Sequence, residues 1–261
     1  MELYTLDVKK EGLEHFVKLW LEKRAFYLPP FQRRFEWDEK RMKEFFDSVI
    51  NGYPIGAIIL WKVPKEEVDR FAKPLVIKES IPSSREAYYV LDGQQRLTTI
   101  LLLFNSWIIK RNGEKIEKRP ISISKSQSER GILSWRLYIG KRGIDLSKVI
   151  KAFIEADTQL QQELKKKVDK QFFQTLRDVA RQISRYQIPF YVIETDKVDG
   201  ETMKKMTEVF VRINRSGIRI GGPELLLSFL AGQFEGNIKE KIYDSFNSLE
   251  NKYEFDLPPY L

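Results

Sequence analysis

Asp92-Gly93-Gln94-Gln95-Arg96-Leu97-Thr98-Thr99 is the densest polar stretch of this sequence. Arg96 offers a planar fork for phosphate or carboxylate, Gln94 and Gln95 each donate and accept, and Thr98 and Thr99 add hydroxyls. Asp92-Gly93 permits a sharp turn where a side chain would clash. If a helix follows, the free N–H groups of its first turn face whatever lies above them, and an anion is the natural occupant. The plainer alternative is a helix start capped by Asp92, with the amides and Arg96 satisfying a buried turn.

The flanking sequence supplies the elements such a site needs. Tyr88-Tyr89-Val90-Leu91 is aromatic and β-branched and reads as a strand. Beyond the motif, Leu97, Ile100, Leu101, Phe104 and Ile108 recur at helical spacing, with Leu102, Leu103 and Trp107 between them, so the helix should be buried on more than one side. The order is strand, tight loop, helix.

Two other segments carry related chemistry. Phe31-Gln32-Arg33-Arg34-Phe35-Glu36-Trp37 interleaves rings with guanidinium groups and follows Pro29-Pro30, which stops the short strand Ala25-Phe26-Tyr27-Leu28. It suits base stacking with phosphate neutralisation, and equally a core-edge cluster with arginines lying over aromatic faces. A helix over 200–213 runs into Val209-Phe210-Val211-Arg212-Ile213-Asn214-Arg215-Ser216-Gly217, where Asn and Gly mark a stop.

Together these segments resemble the DUF262 family, the N-terminal domain of GmrSD-type restriction proteins. Asp92-Gly93-Gln94-Gln95-Arg96 followed by Leu97-Thr98-Thr99 is similar to its DGQQR signature, the Pro29–Trp37 segment to its first signature, Tyr53-Pro54-Ile55-Gly56 to a further element, and Phe210-Val211-Arg212-Ile213-Asn214 to its third. After Gly217 the match weakens, because Ile218-Arg219-Ile220-Gly221-Gly222 replaces the usual small or polar residue, Leu and Ser or Thr.

The resemblance implies a ParB/sulfiredoxin-like fold and a nucleotide-binding and hydrolysing site serving defence against modified phage DNA. It makes Asp92, Gln94, Gln95 and Arg96 the catalytic candidates and Phe31, Gln32, Arg33, Gly93, Thr98, Thr99, Arg212 and Asn214 the nucleotide-binding ones. The implied cofactor is Mg²⁺ arriving with a nucleoside triphosphate, GTP favoured; no metal ligand set is assigned. Asp92 would orient a metal-bound water or hold Arg96 in place. Competing functions are a non-hydrolysing nucleotide- or DNA-binding module and a ParB-like nuclease. Without a Walker A sequence, a P-loop mechanism is excluded.

The remaining periodicities predict an α+β chain. A ParB/sulfiredoxin-like mixed sheet with flanking helices is expected over 1–140, and a mainly helical part over 141–261 that returns the third signature to the site. Leu13, Phe16, Val17, Trp20 and Leu21 predict an amphipathic helix over 9–23. Asp38 should cap a helix over 39–50 that Asn51-Gly52 ends, and Ala57–Trp61 reads as a buried strand. Gly56 allows close approach of a ligand or, more commonly, of a neighbouring element. Leu75–Ile77, Trp135–Ile139 and Ile188–Glu194 read as strands, and Ile121-Ser122-Ile123-Ser124 as an edge strand before a serine-rich loop. Residues 146–186 should form two helices meeting near Ala156–Thr158, with one stripe running from Leu160 through Leu164 and Val168 to Ile183. Further helices are expected after Pro223 and over 237–252.

Composition narrows the classes. Zero cysteines exclude disulfides and thiolate chemistry, and a single histidine removes the usual zinc centres. The same count means that the His-Asn-His-type nuclease domain carried by many relatives is not in this sequence; a nuclease partner or a further domain would have to cut DNA. His15 sits among apolar residues of the first helix and reads as a helix-flank residue. A net charge of +8 suits an anionic partner, DNA included. With no run near the roughly 18 apolar residues of a membrane span and no signal-peptide core, the expected location is the cytoplasm. Self-association is left open by the sequence.

Overall fold

The computed structural model describes residues 4–18, 24–29, 35, 37–68, 73–75, 86–105, 110–111, 114–115, 121–127, 133–195 and 197–215. Along the chain these form β1 (Thr5–Gly12), α1 (Leu13–Phe16), β2 (Ala25–Leu28), α2 (Glu39–Ile50), β3 (Ile58–Pro64), β4 (Lys73–Pro74), β5 (Glu86–Asp92) and α3 (Gln94–Asn105). There follow β6 (Lys110–Arg111), β7 (Glu114–Lys115), β8 (Ile121–Gln127), β9 (Leu133–Ile139), β10 (Ile144–Asp145), α4 (Leu146–Phe153), α5 (Thr158–Lys167), α6 (Lys170–Arg185), β11 (Gln187–Glu194) and α7 (Gly200–Arg215).

A six-stranded mixed sheet, order β1-β11-β3-β5-β2-β4, organises the molecule. β11 runs parallel to β3, and β2 parallel to β5, while β3 and β5 pair antiparallel. The class is α+β. Strand β11, from the C-terminal part of the chain, lies between β1 and β3, so strands far apart in sequence share one sheet.

The central strands are apolar on both faces because both faces are covered. Tyr88 and Val90 of β5, with Ile58 and Leu60 of β3 and Phe190 of β11, belong to a core that includes buried residues of α1, α2, α3, α4 and α6. Ala87, Tyr89 and Leu91 point the other way and pack with Trp61, Val63, Ile193 and Met206 of α7. There the Trp61 and Tyr89 rings stack at 5.2 Å, and the Trp61 indole N–H donates to Thr195 Oγ1 at 3.1 Å.

Helix α2 follows its predicted bounds. Asp38 accepts from the Arg41 N–H at 2.8 Å, and Met42, Phe45, Phe46, Val49 and Ile50 are buried. Three expectations are corrected. Residues 9–12 belong to strand β1 and not to a helix; β1 pairs with β11 from Thr5↔Glu194 to Gly12↔Gln187, and α1 begins only at Leu13. Ile121–Gln127 is the middle strand of a three-stranded sheet, order β10-β8-β9, not an edge. The stripe from Leu160 to Ile183 is broken at Val168–Asp169, where the Asp169 carboxylate accepts from the Phe172 N–H at 2.9 Å and starts a separate helix. The helices expected after Pro223 and over 237–252, and the side chains of Trp20, Leu21, Phe104, Trp107 and Ile108, lie outside the described residues.

Candidate functional site at the amino end of α3

Strand β5 ends in a bulge: Val90 pairs with Leu60 but Asp92 pairs with Ile59, leaving Leu91 as the extra residue. Bulges re-aim side chains at strand ends, and this one falls directly before the polar motif. Gly93 then turns the chain with φ of +90°, a left-handed conformation that L side chains rarely adopt. A Cβ there would lie 3.0 Å from Ile58 Cγ1 and 3.3 Å from Ile58 Cα, so glycine also lets the turn pack on β3.

The Gly93 carbonyl accepts the Leu97 N–H at 2.9 Å, which makes Gly93 the cap of α3. A glycine cap has no side chain to offer the first-turn N–H groups. Asp92 does not take the place: its Oδ2 accepts instead from Arg96 Nη2 at 2.8 Å. Arg96 Nη1 donates in turn to the Ile55 carbonyl at 2.9 Å. The guanidinium is thus fixed from two sides, and its side chain is only 16% exposed against 34% for Asp92.

Gly56 explains how so large a group fits. Its φ is +80°, and a Cβ at that position would stand 2.5 Å from Arg96 Nη1. The close approach belongs to a neighbouring element, the motif arginine itself. Tyr186, just after α6, steadies the same loop: its hydroxyl donates to the Tyr53 carbonyl at 2.6 Å. Burial pushes the Tyr186 phenol pKa up, against a smaller lowering by a hydrogen bond from the Ile55 backbone, so the hydroxyl stays a donor at neutral pH.

Gln94 is 5% exposed, and its Oε1 is buried with no donor among the described residues. Leaving such an acceptor unsatisfied costs about 1–3 kcal/mol. A half-turn of the amide would present its NH₂ group in the same place. The first turn of α3 therefore holds an unused polar group beside a helix end that attracts anions. Gln95 works differently: its Oε1 accepts the Trp37 backbone N–H at 3.1 Å, tying the end of the Pro29–Trp37 segment to the motif.

The profile of the family described as GmrSD restriction endonuclease, N-terminal domain, matches residues 16–231, more than four-fifths of the chain. The chain belongs to this family. It is a restriction-associated module. A search of curated proteins found no match.

Within this GmrSD-type domain the remaining candidates take distinct places. Thr98 and Thr99 are buried on α3, and the Thr99 hydroxyl donates to the Gln95 carbonyl at 2.7 Å, holding the turn that carries Gln95. Arg212 lies on α7, which packs with Met206 and Phe210 buried; its exposed guanidinium pairs with Glu208 at 2.5 Å. Phe31, Gln32, Arg33 and the side chain of Asn214 lie outside the described residues. The acceptor carbonyl of Ile55, the Trp37 N–H and the Tyr186 hydroxyl were not singled out by the sequence; Gly56 was, without its partner.

The donor set suits one kind of metal use. Among the described residues no group of three His, Cys, Asp or Glu side chains could hold an ion, so these residues form no cage for a resident metal. Magnesium carried on a triphosphate needs one or two carboxylates beside the phosphate oxygens. Asp92 offers one, partly exposed, although its charge is already answered by Arg96.

Proposed function

We propose that this domain is the nucleotide-binding module of a restriction system directed at modified DNA, and that it hydrolyses a nucleoside triphosphate, GTP by preference, at the amino end of α3. The observation that carries this reading is the fixed Arg96 guanidinium beside a cap without a side chain, next to the buried Gln94 acceptor. Arg96 and the first-turn N–H groups take phosphate oxygens, while Gln94 reads the ligand with its amide. The family resemblance adds Gln32, Arg33, Arg212 and Asn214 as nucleotide contacts and Phe31 or Tyr53 as the base contact.

Phosphoryl transfer is mainly positioning and charge stabilisation. Water adds at the γ-phosphorus, the bond to the β,γ-bridging oxygen breaks, the nucleoside diphosphate leaves with that oxygen, and the proton lost by the water passes to a phosphate oxygen or to solvent. Asp92 holds the guanidinium in register, and Arg96 meets the charge that develops on the phosphate oxygens. Asp92 would help hold a magnesium ion brought in with the nucleotide, and the ion would supply charge neutralisation at the phosphates. GTP, and a cytoplasmic complex with modified DNA and a nuclease partner, follow from the family resemblance.

One observation favours a second reading, a switch that binds nucleotide without hydrolysing it. The carboxylate of the motif is bonded to Arg96 and so is not a free base. Thermal-shift and phosphate-release measurements with each triphosphate and Mg²⁺, on wild type and Arg96→Ala, separate the readings. Hydrolysis predicts a shift and phosphate release that the variant loses; the switch predicts the shift alone. Equal responses of both proteins to every nucleotide would refute both.

A further inference from the structure

A cleft of about 360 Å³ lies beside α6, between it and α1, the end of α4 and α5, lined among others by Glu14, Phe153, Ile154, Arg177, Arg181 and Arg185. The three arginines stand four residues apart on this sixteen-residue helix. Guanidinium-bearing positions therefore recur about every 6 Å over about 12 Å, on neighbouring turns of one face.

Their charge is largely available. Arg177 lies over the Phe173 ring at 5.6 Å, which steadies its stem without neutralising it. Arg181 makes a surface pair with Asp178 at 2.9 Å, a kind of contact that competes weakly with a phosphate. Among the described residues no carboxylate pairs with the Arg177 or Arg185 guanidinium. Glu14, the acid of the cleft, already accepts from Lys18 Nζ at 2.6 Å and from Ser184 Oγ at 2.7 Å. Burial would raise its pKa, but those bonds outweigh burial and keep it ionised and balanced. What remains is a positive row beside an apolar wall of Phe153 and Ile154.

An even charge repeat matches a polyanion with evenly spaced charges better than an acidic peptide. Guanidinium forks bind phosphate in two-point fashion, and the apolar wall suits a sugar edge. We propose that this cleft binds the phosphate backbone of double-stranded DNA, with Arg177, Arg181 and Arg185 each taking a phosphate. Only the choice of DNA among polyanions rests on the restriction-system reading; the nucleotide site plays no part in it. The row ends at Arg185, one residue before Tyr186, whose hydroxyl holds the loop that seats Arg96. DNA bound along α6 would reach the loop that supports the candidate site.

The test is fluorescence anisotropy of a labelled duplex, without nucleotide, over a salt series. Wild type is compared with Arg177→Gln/Arg181→Gln/Arg185→Gln and with Lys165→Gln/Lys166→Gln/Lys167→Gln, which removes equal charge from exposed positions of α5. The arginine triple should bind at least about 10-fold more weakly, with the slope of log K against log salt smaller by about 2–3, and the lysine triple should lose less than about 3-fold. Arg181→Gln and Arg185→Gln singly, expected to reduce the slope by about 1 each, keep the test decisive if the triple folds poorly. Arg96→Ala should bind DNA as wild type does, which separates this proposal from the nucleotide reading. Equal losses in the two triples, no loss in the arginine variants, equal competition by polyglutamate, or no binding of duplex by wild type would overturn it.

Discussion

Gln95 Oε1 accepts the Trp37 backbone N–H at 3.1 Å across 58 residues of sequence. This bond ties two of the signature segments together, because Trp37 closes the aromatic and arginine-rich segment and Gln95 sits in the first turn of α3. The Trp37 ring, packed on Phe45 at 5.6 Å, holds that end of the segment against α2. Gln95→Ala should therefore weaken nucleotide binding by about 3- to 10-fold through loosening of the first segment, a loss of about 1 kcal/mol, as for one hydrogen bond. Chymotryptic cleavage after Trp37 should accelerate in the same variant; unchanged cleavage would argue that the bond is incidental.

Gly56 and Gly52 offer a matched pair. Both have positive φ, +80° and +75°, but a Cβ at Gly52 meets nothing within 4 Å, whereas one at Gly56 meets Arg96 Nη1 at 2.5 Å. Gly52→Ala should cost about 1–2 kcal/mol of stability from backbone strain alone. Gly56→Ala should cost more and, unlike Gly52→Ala, should reduce nucleotide affinity at least about 10-fold, as expected if about 1.4 kcal/mol of binding depends on the seated guanidinium. Parallel denaturant melts and nucleotide titrations check this, and equal affinities in the two variants would contradict the seat.

Tyr186→Phe removes the hydroxyl that donates to Tyr53 and leaves the ring in place. The loop carrying Ile55 loses one anchor. Stability should fall by about 1 kcal/mol. If the hydroxyl positions Arg96, kcat should fall and the nucleotide KM should rise, whereas a merely structural role would leave both unaltered in the folded fraction.

Glu86 on β5 and Glu194 on β11 flank Lys62 of β3, with Nζ–O distances of 2.8 and 2.7 Å. The Lys62 hydrogen bond, against the opposing effect of burial, holds the Glu86 pKa below its ordinary 4.5. A carboxylate with a lowered folded pKa contributes stability that is present above about pH 4.5 and lost as pH falls through the folded value. Because Glu86 is 48% exposed, that contribution is under about 1 kcal/mol. Melting temperatures taken from neutral pH down to about pH 3 should fall less steeply for Glu86→Gln than for wild type. Parallel curves would show the triad to be without effect.

Much of this arrangement is legible in the residues themselves. Tyr88–Leu91, Gly93 and the apolar spacing of α3 announce strand, turn and helix, and Asp38 with Asn51-Gly52 brackets α2. Strand β1 is legible only in part: Tyr4, Leu6 and Val8 alternate with Thr5, Asp7 and Lys9, but Leu6 and Val8 are both 55% exposed, so the alternation marks no buried face and the strand is held chiefly by its backbone ladder with β11. The helical spacing of Leu13, Phe16 and Val17 also masks the strand end before them. At Val168 the i, i+4 spacing of Leu164, Val168 and Phe172 continues across a real break, and Asp169 was the signal that could have found it. For the site, residue types point to Asp92 and Arg96, but the second acceptor on Arg96 is the Ile55 backbone carbonyl, which has no sequence signature. The same holds for the partner of Gln95.

Equilibrium titration of labelled GTP with Mg²⁺ against wild type and Arg96→Ala tests the central claim most directly. Wild type should bind saturably and the variant at least about 10-fold more weakly, a difference of about 1.4 kcal/mol or more. Equal affinities, or no binding of GTP or of any other triphosphate to wild type, would contradict it.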